Sequence, residues 1–337
     1  MRSFALGALG CLALVACGSS GGASGSPAPD AGDASTIAAT GDGAVMVEDS
    51  GLSRDTGGED APKGPGGPDA GNGPGSGADG SSPDASAPAC KRGIASNMPP
   101  SAALAPTATT PGVSWWYDWS NAGSGQATGI EFVPMIWGAN NLAGPIPSSA
   151  RAVLGFNEPN FKAQSNLTPQ QAAADWPQVE ALAKPLGIPL VSPAVNFCGS
   201  STDSSGCSDP SVTDPYTWLK DFFAACTGCE VDAVAVHWYN CDLPSLQGYI
   251  DGSSSLEGFV QFGKPIWLTE FSCNGASTVA QQQAYMQAAV PYLEANPHVA
   301  RYAWFSASNI ASAQLMNADG SLTALGTTYV GLAPSCP

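Results

Sequence analysis

Histidine occurs twice in the 337 residues, and lysine and arginine together occur eleven times. Two imidazoles, His237 and His298, with no His-Glu-x-x-His string, cannot supply the ligand cluster of a metal hydrolase. Neither a metal nor another cofactor is expected. So few bases leave no basic stripe, which excludes nucleic acid as a partner. No Gly-x-Ser-x-Gly elbow stands between a strand and a helix, and no glycine-rich loop ends in a phosphate-binding lysine. Serine-nucleophile hydrolysis and phosphoryl transfer are thereby removed. Long apolar runs are also missing. The stretch Phe4–Val15 holds about 12 residues, against roughly 20 for a bilayer-spanning helix.

That stretch follows Arg2 and precedes Leu14-Val15-Ala16-Cys17, so residues 1–17 read as an export signal ending in a bacterial lipobox. Acylation of Cys17 is expected, and Gly18 behind it directs the anchor to the outer membrane. Residues 18–89 are almost wholly Gly, Ser, Ala, Pro and Asp, and their eleven acids face only Arg54 and Lys63. Such a segment cannot bury enough apolar surface to offset its ordering entropy, so a disordered, self-repelling tether is expected. The folded domain then spans 90–337, about 248 residues, with 17 acids against 8 bases. A neutral partner suits it better than an anionic one, and a monomer is expected.

Ten cysteines agree with export. Setting aside Cys11 in the signal and Cys17 for lipid leaves an even eight, which favours disulfides. Proximity suggests Cys198 with Cys207 and Cys226 with Cys229. Cys241 and Cys273 both follow strands, and Cys90 and Cys336 bracket the domain. Spacing alone leaves the connectivity open. The Cys226-Thr227-Gly228-Cys229 string lies at a helix end without the other marks of a thioredoxin fold.

Apolar, β-rich runs alternate with helical stretches. Strands are predicted at 92–96, 113–119, 130–137, 152–157, 189–196, 231–239, 265–271 and 300–306, with helices at 169–186, 216–225 and 279–295. Near-continuous apolar strands separated by helices indicate a parallel sheet covered on both faces. Eight of them in about 250 residues indicate an α/β fold of the (β/α)8 TIM-barrel type. An open doubly wound sheet fits less well, since no Gly-x-Gly-x-x-Gly follows the first strand. Strand alternation sends Trp115 and Trp116 to opposite faces, so one of them packs outside the barrel.

In such a barrel the chemistry sits where strands end. Strand four ends Phe156-Asn157-Glu158-Pro159-Asn160, strand five at Asn196, strand six His237-Trp238-Tyr239-Asn240, and strand seven Leu268-Thr269-Glu270-Phe271. Strand eight carries Trp304-Phe305-Ser306. Two carboxylates among aromatic rings are what glycosidic cleavage needs: one protonates the departing oxygen while the other meets the oxocarbenium-like centre. A lone glutamate at a strand end is usually a solvated loop residue. Two of them inside these strings point to Glu158 and Glu270 as the catalytic pair.

The same strings carry a resemblance. Asn157-Glu158-Pro159 with Thr269-Glu270-Phe271 resembles the retaining TIM-barrel glycosidases of clan A. Trp115-Trp116-Tyr117-Asp118-Trp119, Phe132–Gly138, Leu154–Pro159 and Val236–Tyr239 look like glycoside hydrolase family 128, single-barrel enzymes acting on β-1,3-glucan. The resemblance implies Glu158 as acid/base, Glu270 as nucleophile and Asn157 as partner of the sugar 2-hydroxyl. It further implies that His237, Trp238, Tyr239, Trp304, Asp118 and Asn196 contact a β-glucan. Asp118 stands where much of the family has Asn. A transglycosylase or another β-glycanase would share both carboxylates. A non-catalytic glucan-binding lipoprotein would need neither of them. Removing residues 1–89 is expected to leave the circular dichroism spectrum and the thermal transition of the domain unchanged. Loss of folding on that truncation would place the domain boundary elsewhere.

Overall fold

The structure, a computed structural model, describes residues 90–333 except 126, 128, 200–205, 275, 277 and 307–309. The signal-like segment with Cys17, the 18–89 linker and Cys336 lie outside the described residues. All eight expected strands form: β1 (Arg92–Ala95), β2 (Trp115–Tyr117), β3 (Glu131–Phe132), β4 (Val153–Leu154), β5 (Leu190–Val195), β6 (Ala233–Trp238), β7 (Ile266–Phe271) and β8 (Val299–Phe305). They pair in parallel in the order β3-β2-β1-β8-β7-β6-β5-β4. A parallel bridge between Met135 and Leu154 joins the ends of that order, with Ile136 N donating to Leu154 O and Leu154 N to Pro134 O, each at 2.9 Å. The sheet is thus the ring of a (β/α)8 barrel. β3 is shorter than its apolar run because Pro134 has no N–H to give the ladder.

Among the described residues, five α-helices accompany the strands: α1 (Pro169–Ala183), α2 (Pro215–Ala225), α3 (Leu243–Asp251), α4 (Val279–Ala295) and α5 (Ala324–Gly331). α1 and α4 each begin with a capping box, Thr168 with Gln171 and Thr278 with Gln281, which satisfies first-turn N–H groups. The last three residues of the run predicted for α1, Lys184–Leu186, tighten into a 3-10 turn. α3 and α5 escaped the sequence reading because Pro244, Gly248, Gly326 and Gly331 dilute the helical signal. Gly326 is required by contact, since a Cβ there would lie 2.0 Å from Leu315 O.

Strand alternation splits the core in two. Inside the ring, Trp115 and Trp267 lie among Ala194, Ala233, Ala235 and Ala303. Two large rings need small neighbours to fill a narrow barrel, and Gly93 is the extreme case: a Cβ there would meet the Trp115 indole at 2.2 Å. Arg301 lies over both indoles, 5.5 Å from the Trp115 centroid and 4.6 Å from that of Trp267, and pairs with Glu131 through two hydrogen bonds. Outside the ring, Trp116 packs on Phe132, so the two adjacent tryptophans do part company.

Three expected disulfides are present: Cys198–Cys207, Cys226–Cys229 and Cys241–Cys273. The fourth, Cys90–Cys336, falls partly outside the described residues, although Cys90 is disulfide-bonded. Arg92 ties the first strand to the last elements. Buried at 2 % exposure, it donates to Tyr302 Oη, Tyr329 O, Ala333 O and Glu294 Oε1. Removing one partner of such a network leaves the other charge buried and unpaired. Arg92→Met is therefore expected to cost about 3–5 kcal/mol in denaturant unfolding. A loss below about 1 kcal/mol, the range of an exposed pair, would show that the network contributes little.

Candidate active site

β4 runs on into Phe156–Asn160, where the chain turns sharply and Glu158 takes φ 37°. A non-glycine residue holds that left-handed conformation only if its surroundings enforce it. Here Asn157 O accepts from Ser165 N and Oγ at 3.2 and 2.7 Å, and Pro159 O from Leu167 N and Ser208 Oγ, each at 2.9 Å. Across the ring, Glu270 stands near the end of β7. Both carboxyl groups are buried, Glu158 at 9 % and Glu270 at 4 % exposure, and His237 between them is fully buried. Its Nδ1 lies 2.9 Å from Glu158 Oε1 and 3.6 Å from Glu270 Oε2. One oxygen of each carboxylate and a ring nitrogen of His237 all lie within 4.8 Å of one another.

Three further groups aim at Glu270. Tyr117 Oη donates to Oε1 at 3.0 Å, Trp119 Nε1 to the same oxygen at 2.8 Å, and Tyr239 Oη to Oε2. Burial holds the Tyr117 and Tyr239 hydroxyls well above their ordinary pKa, and the Glu270 charge adds to it, so both remain donors. Burial also pushes the Glu270 carboxyl up. His237 opposes this, Glu158 adds to it, and the Tyr239 and Trp119 hydrogen bonds pull back, with a net rise. For His237, burial alone would lower the pKa. The Glu270 charge and the hydrogen bond with Glu158 outweigh it, so the imidazole is raised. Glu158, His237 and Glu270 could each turn one atom toward a cation. The Glu270 oxygens, however, already accept from three protein donors, and Nδ1 faces Glu158, while the buried Nε2 of His237 has no protein partner.

Other predicted site residues fall elsewhere. Trp304 is fully buried behind the barrel, edge-on to Phe271 at 5.1 Å, with Nε1 donating to Ala313 O. Trp238 likewise faces outward, 4.7 Å from the Tyr249 ring. Both fail as sugar contacts for one reason: His237, Tyr239 and Phe305 have the inward parity on their strands, and the residues between them point to the helices. Asp118 turns into its own loop, its Oδ1 accepting from Ser120 N and Oγ and its Oδ2 from Ser124 N. Asn196 folds its Oδ1 onto Phe197 N and offers its main-chain O to Asn160. Asn157 stays beside Glu158, its Nδ2 on Gln164 Oε1 and its buried Oδ1 without a protein partner. The donors Tyr117 and Trp119 and the ring of Phe305 were missed. Parity would have found Tyr117 and Phe305. Trp119 reaches Glu270 only because its backbone turns to φ 61°, which no periodicity reveals.

An eight-stranded parallel barrel with two buried carboxylates meeting at the strand ends defines a glycoside hydrolase core. Residues 93–329 match the family described as "Glycosyl hydrolase catalytic core". Among solved structures, the chain is similar to a GH128 subgroup II endo-beta-1,3-glucanase from Sorangium cellulosum, with 39 % identity and TM-score 0.60. That match covers 74 % of this chain and 99 % of the other. A GH128 subgroup I endo-beta-1,3-glucanase from Amycolatopsis mediterranei, in complex with laminaritriose, is 28 % identical with TM-score 0.55, over 71 % and 98 % of the two chains. Alkali-sensitive linkage protein 1 of Schizosaccharomyces pombe is 30 % identical over 233 residues, 65 % of this chain, which spans only 40 % of that protein. The chain belongs to glycoside hydrolase family 128.

The raised His237 gives the cluster a pH signature. Stability from the imidazolium is complete below its unfolded value of about 6.5 and is lost as pH rises through the higher folded value. The stability gap between wild type and His237→Gln is therefore expected to narrow as pH rises from about 6.5, measured by thermal unfolding. A gap that stays constant over that rise would mean His237 is neutral in the fold.

Proposed function

We propose that this protein is a retaining, endo-acting β-1,3-glucanase in which Glu270 is the nucleophile and Glu158 the acid/base. One observation supports this above the others: the two carboxyl oxygens lie within 4.8 Å of each other around His237. Retaining enzymes hold their carboxyl groups about 5–5.5 Å apart, whereas inverting ones need about 6.5–9.5 Å to admit a water. In the first step Glu158 gives its proton to the departing glycosidic oxygen while a Glu270 oxygen bonds to the anomeric carbon. Tyr117, Trp119 and Tyr239 hold Glu270 in line, and their hydrogen bonds favour the carboxylate against the burial that raises its pKa. In the second step the Glu270 charge has gone into the ester. Glu158, now a carboxylate, takes a proton from water, and that water displaces Glu270 from the sugar.

The β-1,3-glucan assignment draws on the relatives from Sorangium and Amycolatopsis, the latter bound to laminaritriose. Asn157, beside Glu158 with an unpaired Oδ1, is positioned to meet the 2-hydroxyl of the sugar. The rings of Trp119, Phe305 and Tyr239, with centroids 5.9 and 5.4 Å apart in succession, offer apolar faces to pyranose rings. A non-catalytic glucan-binding protein would not need two buried carboxylates, which are costly to keep in a site that only binds. Acylated at Cys17 and tethered by residues 18–89, the enzyme would work as a monomer at the outer membrane.

Glu270→Gln is expected to abolish hydrolysis of linear β-1,3-glucan while oligosaccharide binding persists. Glu158→Ala should retain turnover on substrates with good leaving groups, and azide should raise it further and yield a β-glycosyl azide. Near wild-type turnover by Glu270→Gln, or an α-glycosyl azide, would refute the retaining assignment. Sizing the products from β-1,3-, β-1,4- and mixed-linkage glucans tests the specificity.

A further inference from the structure

β7 loses its regular pairing where Glu270 sits. Against β6 the register slips between Val236 and His237, and against β8 it slips between Leu268 and Phe271. Glu270 keeps His237 as its partner on β6, but Thr269 has none there and neither residue has one on β8, so the ladder supports this stretch less than the rest of the strand. The chain is caught again just beyond. Ser272 N donates to Trp238 O at 3.3 Å and Asn274 N to Tyr239 O at 3.0 Å. Between them Cys273 is tied twice. A disulfide links it to Cys241, two residues after Tyr239, with the Cα atoms 4.6 Å apart. A second tie comes from Gln282 in the first turn of α4: Cys273 N donates to Gln282 Oε1 at 3.0 Å, and Gln282 Nε2 donates to Cys273 O at 2.8 Å.

Gln282 is out of place by composition. It is 1 % exposed on a helix face otherwise built from Tyr285, Met286, Ala289, Val290 and Leu293. A primary amide in such surroundings is costly unless both ends are bonded, and a methionine would fill the space without that demand. Both ends are bonded here, and both to the main chain of one residue, three positions beyond Glu270.

We propose that Gln282, together with the Cys241–Cys273 disulfide, is a positioning residue that fixes the end of β7 so that Glu270 stays in register with Tyr239 and His237. The inference rests on Glu270 being the nucleophile. The groups that face Glu270 are Tyr117 from β2, Trp119 after it, Glu158 beyond β4, His237 from β6 and Tyr239 just after that strand. Of these, the imidazole and the Tyr239 hydroxyl stand on and just after the strand that the clamp joins to β7. Loosening the clamp therefore weakens the hydrogen bond that favours the ionised carboxylate, and the acid limb of the rate profile moves to higher pH.

The test uses the full chain with Gln282→Met, which keeps the volume and removes both hydrogen bonds. On a linear β-1,3-linked oligosaccharide, kcat is expected to fall about 10- to 100-fold, as small misplacements of reacting groups do. KM should stay within about threefold, because the binding surface is untouched. The acid limb of kcat/KM should shift upward. A kcat within about twofold of the parent in folded protein would overturn the proposal, as would a loss matched by the unfolded fraction with an unmoved acid limb. Should Gln282→Met not fold, Cys241→Ala with Cys273→Ala cuts the other tie to the same residue. It is expected to give the same kcat signature, and an unchanged kcat would overturn the proposal. Infrared titration of the Glu270 carboxyl band, assigned by its loss in Glu270→Gln, needs no substrate. The band should titrate at higher pH in the clamp variant, and an unmoved band overturns the proposal. A parent enzyme that cleaves no β-1,3-glucan would sink the functional reading while leaving this comparison intact.

Discussion

Two buried carboxylates that must face each other are the constraint on which the rest of the molecule depends. At an effective dielectric of about 20, two like charges within 4.8 Å repel by about 3–4 kcal/mol, before desolvation is counted. The protein answers with one imidazole between them and three neutral donors on one side. Each answer needs a backbone placed with little tolerance. His237 and Tyr239 must point inward at the end of a single strand, Trp119 must turn back at a left-handed residue, and Glu158 must sit in a left-handed turn of its own. Hydrogen bonds from Ser165, Leu167 and Ser208 offset that strain locally.

The asymmetry between the two carboxylates follows from the same placement. Glu270 accepts from three protein donors, while Glu158 is joined to His237. Three donors fix the pose of Glu270, whereas Glu158 has one side-chain partner among the described residues.

Much of this was legible in the sequence, and the boundary is physical. The eight strands showed because a parallel strand buried on both faces is a run of apolar residues. Glu158 and Glu270 showed because they interrupt such runs at their C-terminal ends. The three disulfides between described residues agree with the pairs that short separations and adjacent strand ends suggested, although spacing left the connectivity open. Trp304 and Trp238 misled because the aromatic content of a string does not say which side of the sheet a ring takes. The loop contacts of Asp118 did not show, because a carboxylate flanked by Ser120 and Ser124 closes a loop as readily as it binds a sugar. Gln282 gave no signal, since a polar residue in the first turn of a helix ordinarily faces water.

The ring is not equally strong all the way round. β6, β7 and β8 pair over long ladders, whereas β3 and β4 have two residues each and meet through the single Met135–Leu154 bridge. In terms of native-state fluctuation, that seam is where the barrel unzips at least cost. Glu158 lies just beyond that seam, and Glu270 lies across the ring where β7 slips in register against both neighbours, so each carboxylate stands on a stretch of chain whose placement depends on contacts from outside the ladder.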